Sequence, residues 1–561
     1  MSDAAYPWLN HYPAGVNWHE QFTGRPVYAL LDAAAASFPD NIALEFFGKN
    51  YRYSELQEKV NRTTNGLKQM GVGVGTRVGL FMPNCPQFVI AYFAILKAGA
   101  TVVNFNPLYS EHEIAHQLAD AKVEVMVTTN LKMTYHKLKP FIGRGSLQKV
   151  IIAQFQEAMG LTMRALFVAA KSSELAAIPR DHHHVLLRDL YQATDLVDLP
   201  PINPDTHIAV LQYTGGTTGV PKGAILTHSN LHINAQQCTR WMVGLEPGKE
   251  RMLAVLPFFH VFAMTVAMNL AIANGFTIVI HPRFELKRVL HDIAAKKITL
   301  MPGVSTLFAT ISNYQKVSQY DLSSIKMCIS GGGPLPVEVK NQFEKLTGCV
   351  IAEGYGLTEA SPVTCCTPLF GVNKPGSIGL PFPGTIMEII DKDDKVTKLK
   401  PGEIGEVTIL GPQVMAGYLN KPEETAAVLR GGRLYTGDLG TMDEDGYFAI
   451  VDRLKEMIIV GGYNVYPRNV EEALYLHPAV AEAAVIGLEH PTRGQMIKAY
   501  VVPRKGETLD SATLKEFMRQ HISAYAVPHA FEFRDTLPKS MIGKILKKEL
   551  IAEEKAKAQH G

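Results

Sequence analysis

The densest chemistry in the chain lies in Tyr213-Thr214-Gly215-Gly216-Thr217-Thr218-Gly219-Val220-Pro221-Lys222-Gly223, which follows the apolar run HIAVLQ. The run reads as a strand, so the motif sits at a strand end. Glycines admit backbone angles that turn successive N–H groups to one side. Those groups, with three threonine hydroxyls and one lysine, compose a nest for polyphosphate. The motif is not a Walker loop: Lys222 follows a proline and precedes a glycine, where that loop carries Ser or Thr. An ordinary Gly/Thr turn is the competing reading, and the crowding of phosphate-binding groups into one short stretch disfavours it.

Four further motifs follow in order: Gly354-Tyr355-Gly356-Leu357-Thr358-Glu359, Tyr435-Thr436-Gly437-Asp438, Asp452-Arg453-Leu454-Lys455-Glu456 running into GGYNVYP, and Pro538-Lys539-Ser540-Met541-Ile542-Gly543-Lys544. Together the five resemble, in kind and order, the adenylate-forming superfamily of acyl-CoA synthetases, luciferases and peptide-synthetase adenylation domains. Within it, NFNPLY, PFFHVFA and LPKSMIGKILKKEL are most similar to bacterial long-chain fatty acid–CoA ligases.

The resemblance implies a two-step reaction. A carboxylate attacks the α-phosphate of ATP to give an acyl-adenylate and pyrophosphate, and coenzyme A then takes the acyl group. Like charges meet in the first step, so cations must neutralise them. The resemblance places Tyr213, Thr214, Gly215, Gly216, Thr217, Thr218, Gly219 and Lys222 on the nucleotide, with Thr217 also counted as catalytic. It places Gly331, Gly332 and Gly333 where backbone approaches nucleotide and acyl group. Gly354, Tyr355, Gly356 and Thr358 join the nucleotide site, with the Tyr355 ring on adenine. Glu359 is the expected Mg²⁺ ligand, a hard oxygen donor for a hard cation. Asp438 is expected to accept the ribose hydroxyls, and Arg453 to contact ribose or phosphate with its planar fork. Lys544 is the expected catalytic lysine, reaching the carboxylate and α-phosphate during adenylation, while Lys539, Lys547 and Lys548 read as solvated. Lys455 is the expected hinge, Gly461 and Gly462 the lining of the pantetheine channel, and His260 the mouth of the acyl site. Trp241, Phe258, Phe259, Val261, Phe262, Met264 and Met268 are candidates for an apolar acyl wall and read equally well as plain core.

These residues need elements to hold them. VGLFMP, TVVNFNP, VEVMVTT and KVIIAQ read as strands alternating with helical patterns such as QFVIAYFAILKAG. That alternation predicts parallel sheets covered by helices. From about Asp391 to Ile450, short strands between Gly- and Asp-rich turns predict an antiparallel region, where Asp443 and Asp445 read as turn residues. Beyond Asp452, AAVIGL, KAYVVP and SATLKEFMRQHI predict a compact α+β tail of about a hundred residues. The expected fold is α/β. Residues 1–454 form a large N-terminal AMP-binding (adenylation) domain of stacked α/β sheets plus a β-rich subdomain. Residues 455–561 form a small mobile domain carrying the lysine.

Length and composition agree with this organisation. A chain of 561 residues exceeds one core, and 47% hydrophobic with 19% charged residues is a globular balance. The net charge of +2 carries no basic tail for nucleic acid. Six scattered cysteines without ligand spacing predict a reducing, cytoplasmic setting, and neither end carries a secretory, lipidation or peroxisomal signal. Met252–Ile280 holds no Lys, Arg, Asp or Glu, yet Pro257, His260, Asn269, Asn274 and Gly275 interrupt it, which predicts a buried helix and strand rather than a membrane span. His182, His183 and His184 read as a solvated run, not a metal site. Expected partners are a carboxylic acid, ATP with Mg²⁺, and coenzyme A, together with a peripheral membrane contact and a homodimer. Competing readings are a ligase for medium-chain, aryl or terpenoid acids, an acyl-AMP ligase serving a carrier protein, and a membrane-bound acyl-binding protein without catalysis.

Overall fold

In the computed structural model the described residues are 6–193, 198–214, 221–460, 463–490, 494–540 and 543–560. Among them the strands form a nine-stranded sheet, an eight-stranded sheet and two five-stranded sheets.

Both large sheets have the predicted parallel centre. In the nine-stranded sheet the run through Val350–Gly356, Met327–Ser330, Leu300–Gly303, Arg251–Ala254, Thr277–Ile280 and Ile42–Phe46 is parallel. In the eight-stranded sheet Ile208–Thr214, Thr101–Asn104, Arg77–Phe81, Val125–Thr129, Lys149–Ala153 and His184–Leu186 run the same way. Crossover helices cover such sheets, which is why their strands read as continuous apolar runs. Helix Pro86–Lys97 is buried along its whole length, packed between elements rather than on the surface.

Met252–Ile280 is core. It divides into strand Arg251–Ala254, a π-helical turn Ala263–Asn269, helix Leu270–Ala273 and strand Thr277–Ile280. Among the described residues no helix is long and apolar enough to cross a membrane. A π-helical stretch widens the helical turn and is frequent at functional sites; this one follows His260.

The antiparallel region is the first five-stranded sheet, with Gly405–Leu410, Arg433–Met442 and Phe448–Arg453 in sequence pairing. The second five-stranded sheet, built from Ile458–Val460, Tyr463–Val465, Val480–His490, Gly494–Pro503 and Ala530–Phe533, has its own apolar core around Val485, Ala499 and Leu514. Turn residues Leu454–Met457 join the two: Leu454 N–H donates to the Gly437 carbonyl at 3.0 Å and Glu456 N–H to that of Arg453 at 2.9 Å. Lys455 is exposed on this turn.

Two expectations about solvation fail. His184 is not solvated: it forms the edge strand His184–Leu186, and its ring lies between Asp181 at 2.7 Å and the Tyr135 hydroxyl at 2.9 Å. Lys547 is not solvated either. Its ammonium is 2.8 Å from Glu471 and 3.4 Å from Glu456, and these carboxylates outweigh desolvation and raise its pKa. Lys539 pairs with Glu482, while Lys548 is exposed.

Candidate active site

Strand pairing brings together the two residues expected at the ribose. Asp438 and Arg453 face each other across Arg433–Met442 and Phe448–Arg453, with Arg453 Nε 3.4 Å from Asp438 Oδ1. The Tyr355 hydroxyl, from the end of Val350–Gly356 in a different sheet, donates to Asp438 Oδ2 at 2.6 Å. Asp438 N–H donates to Thr436 Oγ1 at 3.1 Å and Gly437 N–H to Glu406 Oε1 at 2.9 Å, which fixes the turn. Burial raises the Asp438 pKa, opposed by the Arg453 charge and the Tyr355 hydroxyl. Gly356 is required by space: a Cβ there would lie 2.0 Å from the Pro362 carbonyl oxygen.

The phosphate side is framed by two strand ends. Thr214 and Lys222 are opposed across the antiparallel pair Ile208–Thr214 and Lys222–Thr227. Gly215, Gly216, Thr217, Thr218 and Gly219 lie outside the described residues, as do Gly461 and Gly462. The Tyr213 side chain does not meet the expectation of a nucleotide contact. Residues alternate faces along a strand, and its ring is buried in an apolar cluster that includes Phe105, Leu211 and Leu419, with the hydroxyl donating to Asp120 Oδ2 at 2.5 Å. Only its main chain is left for the nucleotide.

A residue the sequence did not flag ties the phosphate side to Glu359. The Tyr418 hydroxyl donates to Glu359 Oε1 at 2.7 Å, while its ring lies under the Lys222 ammonium, 5.2 Å from the centroid. Met415 N–H also donates to the Glu359 carbonyl at 2.8 Å. Among the described residues Glu359 has one carboxylate oxygen committed to Tyr418, and its carboxylate with the Thr358 hydroxyl is a hard-oxygen pair that fits Mg²⁺. Tyr418 sits on a two-residue strand, too short to carry a periodic signal.

Lys544 enters from the other side. Its loop is closed by Ser540 N–H to the Lys544 carbonyl at 2.8 Å, Gly543 N–H to the Ser540 carbonyl at 2.8 Å, and Leu546 N–H to the Pro538 carbonyl at 2.8 Å. Gly543 has φ +76°, and a Cβ there would come within 2.4 Å of Thr306 Oγ1. The loop therefore sits hard against the large domain because position 543 has no side chain. Lys544 is exposed, yet the protein crowded around its ammonium strips part of its hydration, as happens in a concave cleft. That desolvation, with repulsion from Arg453, pushes its pKa down to about 8 against the pull of Glu456 and Asp438. His260 feels the Lys544 charge; burial first and that repulsion second bring it down to about 4, a neutral ring at pH 7. Its Nδ1 accepts the Phe262 N–H at 3.3 Å, which assigns the proton to Nε2.

Gly331, Gly332 and Gly333 follow strand Met327–Ser330, and a Cβ on Gly331 would lie 3.1 Å from the Phe262 ring. Behind them is a narrow apolar cavity lined by Trp241, Met242, Val266, Ile329, Val363 and Phe382, among others. All seven candidate wall residues are buried, but only Trp241 lines this cavity; Phe258, Met264 and Met268 are core. A surface groove of about 650 Å³ between helices Ala29–Ser37 and Tyr53–Gln69 shares no residue with the site.

Tyr355, Asp438 and Arg453 line one cleft that Lys544 faces from beyond residue 455. The chain belongs to the AMP-binding enzyme family: that family's model matches residues 31–419, and its C-terminal domain model matches residues 469–544. Among relatives, it is 43% identical over 552 residues to a long-chain-fatty-acid–CoA ligase of Bacillus subtilis (strain 168), covering 98% of each chain. It is 36% identical over 565 residues to a protein of the same name from Escherichia coli O157:H7, covering 99% of each. An anthranilate–CoA ligase solved with anthranoyl-AMP superposes with a TM-score of 0.83 at 25% identity, covering 96% of this chain and 98% of that one.

Proposed function

We propose that the protein is an ATP-dependent fatty acid–CoA ligase. It joins a carboxylic acid to AMP with release of pyrophosphate, then transfers the acyl group to coenzyme A with release of AMP. The observation that carries the proposal is the convergence of Lys544, Asp438, Arg453 and His260 on one cleft from both sides of residue 455.

Asp438, already fixed by Tyr355 and Arg453, accepts the ribose hydroxyls. Lys544 holds its proton at pH 7 and places that charge where the acid's oxygen meets the α-phosphate. A preorganised cation in a partly dry site stabilises developing charge without reorganisation. His260, proton on Nε2, is a neutral donor for the acid at the mouth of the apolar slot. Glu359, held by Tyr418, is the proposed Mg²⁺ ligand; bound there, the ion neutralises phosphate charge. Residues 215–219 and Lys222 are the proposed polyphosphate cradle, and Gly461 and Gly462 the proposed pantetheine lining. The second step needs the Lys544 loop to withdraw so that a thiol can reach the acyl carbon. Division of the chain at 454/455, with Lys455 as hinge, supplies that movement.

The likeness to long-chain-fatty-acid–CoA ligases supports an aliphatic acid, whose buried methylenes contribute about 0.8 kcal/mol each. Aryl acids are the second reading, favoured by the anthranilate-ligase likeness. Acid-dependent pyrophosphate release decides between them, measured with hexanoate to oleate and with aryl acids, with and without coenzyme A. Oleate giving the highest kcat/KM supports the proposal. A preference for aryl acids overturns the fatty-acid assignment, and release without thioester formation overturns coenzyme A as acceptor.

A cytoplasmic setting is supported by six cysteines that are all unpaired and buried. Peripheral contact with an anionic membrane goes with a membrane-dissolved substrate. Helix Leu161–Lys171 supports it: none of its residues is fully buried, Leu161, Leu166 and Val168 are exposed, and its only charges are Arg164 and Lys171. Flotation with anionic and neutral vesicles tests the contact; no flotation with either refutes it. Light scattering on the same preparation tests the expected homodimer.

A further inference from the structure

We infer that Arg468 is a positioning residue: it clamps the small domain in the adenylate-forming arrangement and must let go before the thioester step. The inference rests on the two-arrangement reading above and adds to it the group that sets the balance.

Arg468 opens helix Pro467–Tyr475, beyond the proposed hinge, yet most of what it binds lies before the hinge. Its backbone N–H donates to Asp452 Oδ2 at 2.9 Å, and Nη1 donates to the Ile450 carbonyl at 2.8 Å. Nη2 is 3.9 Å from Glu353 Oε1. Only Nε turns back to its own helix, to Glu472 Oε1 at 3.0 Å. Ile450 and Asp452 are on the strand that ends at Arg453, and Glu353 is two residues before Tyr355. The clamp therefore grips the two strands that also present the nucleotide wall.

Burial gives the clamp its strength. Arg468 is 9% exposed and Glu353 6%. A buried charge is tolerated while it is paired and hydrogen-bonded, and becomes costly once it loses those partners. Rotation about residue 455 takes the guanidinium from Ile450 and Glu353 together, leaving the buried Glu353 carboxyl only the Leu335 N–H and the more distant Lys340 charge. Burial already pushes that carboxyl up to about 7, with Arg468 the chief group opposing the rise. The neighbouring pairs of Lys547 with Glu471 and Glu456 lie wholly after residue 455, so rotation leaves them intact. Lys547 reaches across residue 455 only through the charge of Asp452, whereas Arg468 makes direct hydrogen bonds there.

The test measures the two half-reactions separately: adenylate formation from acid and ATP, and thioester formation from supplied acyl-AMP and coenzyme A. Arg468→Met keeps the aliphatic stem and removes the charge. The ratio of adenylation rate to thioester rate should fall about tenfold, the scale of losing one hydrogen-bonded charge, with the thioester rate unchanged or raised. Glu353→Gln, nearly isosteric, should shift the ratio the same way by a smaller factor, and Arg468→Lys should restore part of it. Equal loss in both half-reactions, or an unchanged ratio, overturns the clamp. If Arg468→Met does not fold, an unchanged ratio in Glu353→Gln overturns it alone. Lys544→Ala in the same assay separates the causes. If that variant splits the half-reactions and Arg468→Met does not, the clamp fails and the two-arrangement reading stands; if neither does, both fail.

Discussion

The ribose wall and the lysine loop act on the same ligand but are built by opposite means. Tyr355, Asp438 and Arg453 project from paired strands, and their mutual contacts, at 2.6 and 3.4 Å, involve no residue beyond Arg453. Lys544 rides on a turn whose direct bond to the large domain is a 3.4 Å contact from Thr306 Oγ1 to the Gly543 carbonyl. A second bridge, Arg504 Nη1 to Asn313 Oδ1 at 2.9 Å, is exposed. The wall is preorganised by secondary structure; the loop is placed by a dockable surface. A site that must serve two reactions can keep its nucleotide half fixed and exchange the other.

That difference predicts which changes separate the half-reactions. The largest effect belongs to Lys544→Ala. Loss of one preorganised charge costs roughly a hundred- to a thousandfold in rate, here in adenylate formation, with thioester formation from supplied acyl-AMP near wild type. Equal losses would place Lys544 in the fixed half. Asp438→Asn should impair both half-reactions, because the ribose is held throughout, and a loss confined to adenylation would break the contrast. Lys455→Pro should spare adenylation and impair thioester formation, since proline restricts the backbone at the turn. Normal overall turnover would remove the hinge.

Gly543→Ala is a finer probe. The new methyl meets Thr306 Oγ1, and a left-handed φ costs a non-glycine residue about 1–2 kcal/mol. Adenylation should fall by roughly tenfold on that scale, with less effect on the thioester step. Adding Thr306→Ala removes the overlap but not the backbone strain, so recovery should be partial. Full loss of both half-reactions would mean the loop is needed for folding rather than docking.

What could be read in the sequence follows the same division. Residues that act through fixed backbone, such as Gly354, Tyr355, Asp438 and Arg453, sit in motifs whose spacing reflects strand ends. The parallel sheets showed as apolar runs because both faces are covered. Tyr418, Glu353 and Arg468 stayed hidden because their partners are distant in the chain and their own elements carry no special composition. Tyr213 misled for a local reason: its place in the motif does not reveal which face of the strand it occupies. Lys547 misled for a similar one: a lysine in a basic run reads as solvated unless the buried carboxylates it meets, Glu471 above all, are known.

The smallest effect is a pH limb. In the free enzyme Lys544 sits at about 8 instead of the ordinary 10.5, because the cleft desolvates its ammonium and Arg453 repels it. kcat/KM reports ionisations of the free enzyme, so kcat/KM for adenylation should fall as pH rises through about 8. Stability should move the other way. The unfolded chain binds the proton more tightly, so folding becomes more favourable between about 8 and 10.5 as the folded state sheds a charge it holds at a cost. Opposite slopes of activity and stability over one pH interval are what a strained, functional cation produces, and a surface lysine produces neither. Lys544→Met should flatten both, measured as residual adenylation rate and as urea midpoint against pH. A limb that survives the substitution belongs to another group and would return Lys544 to the ordinary lysines of the loop.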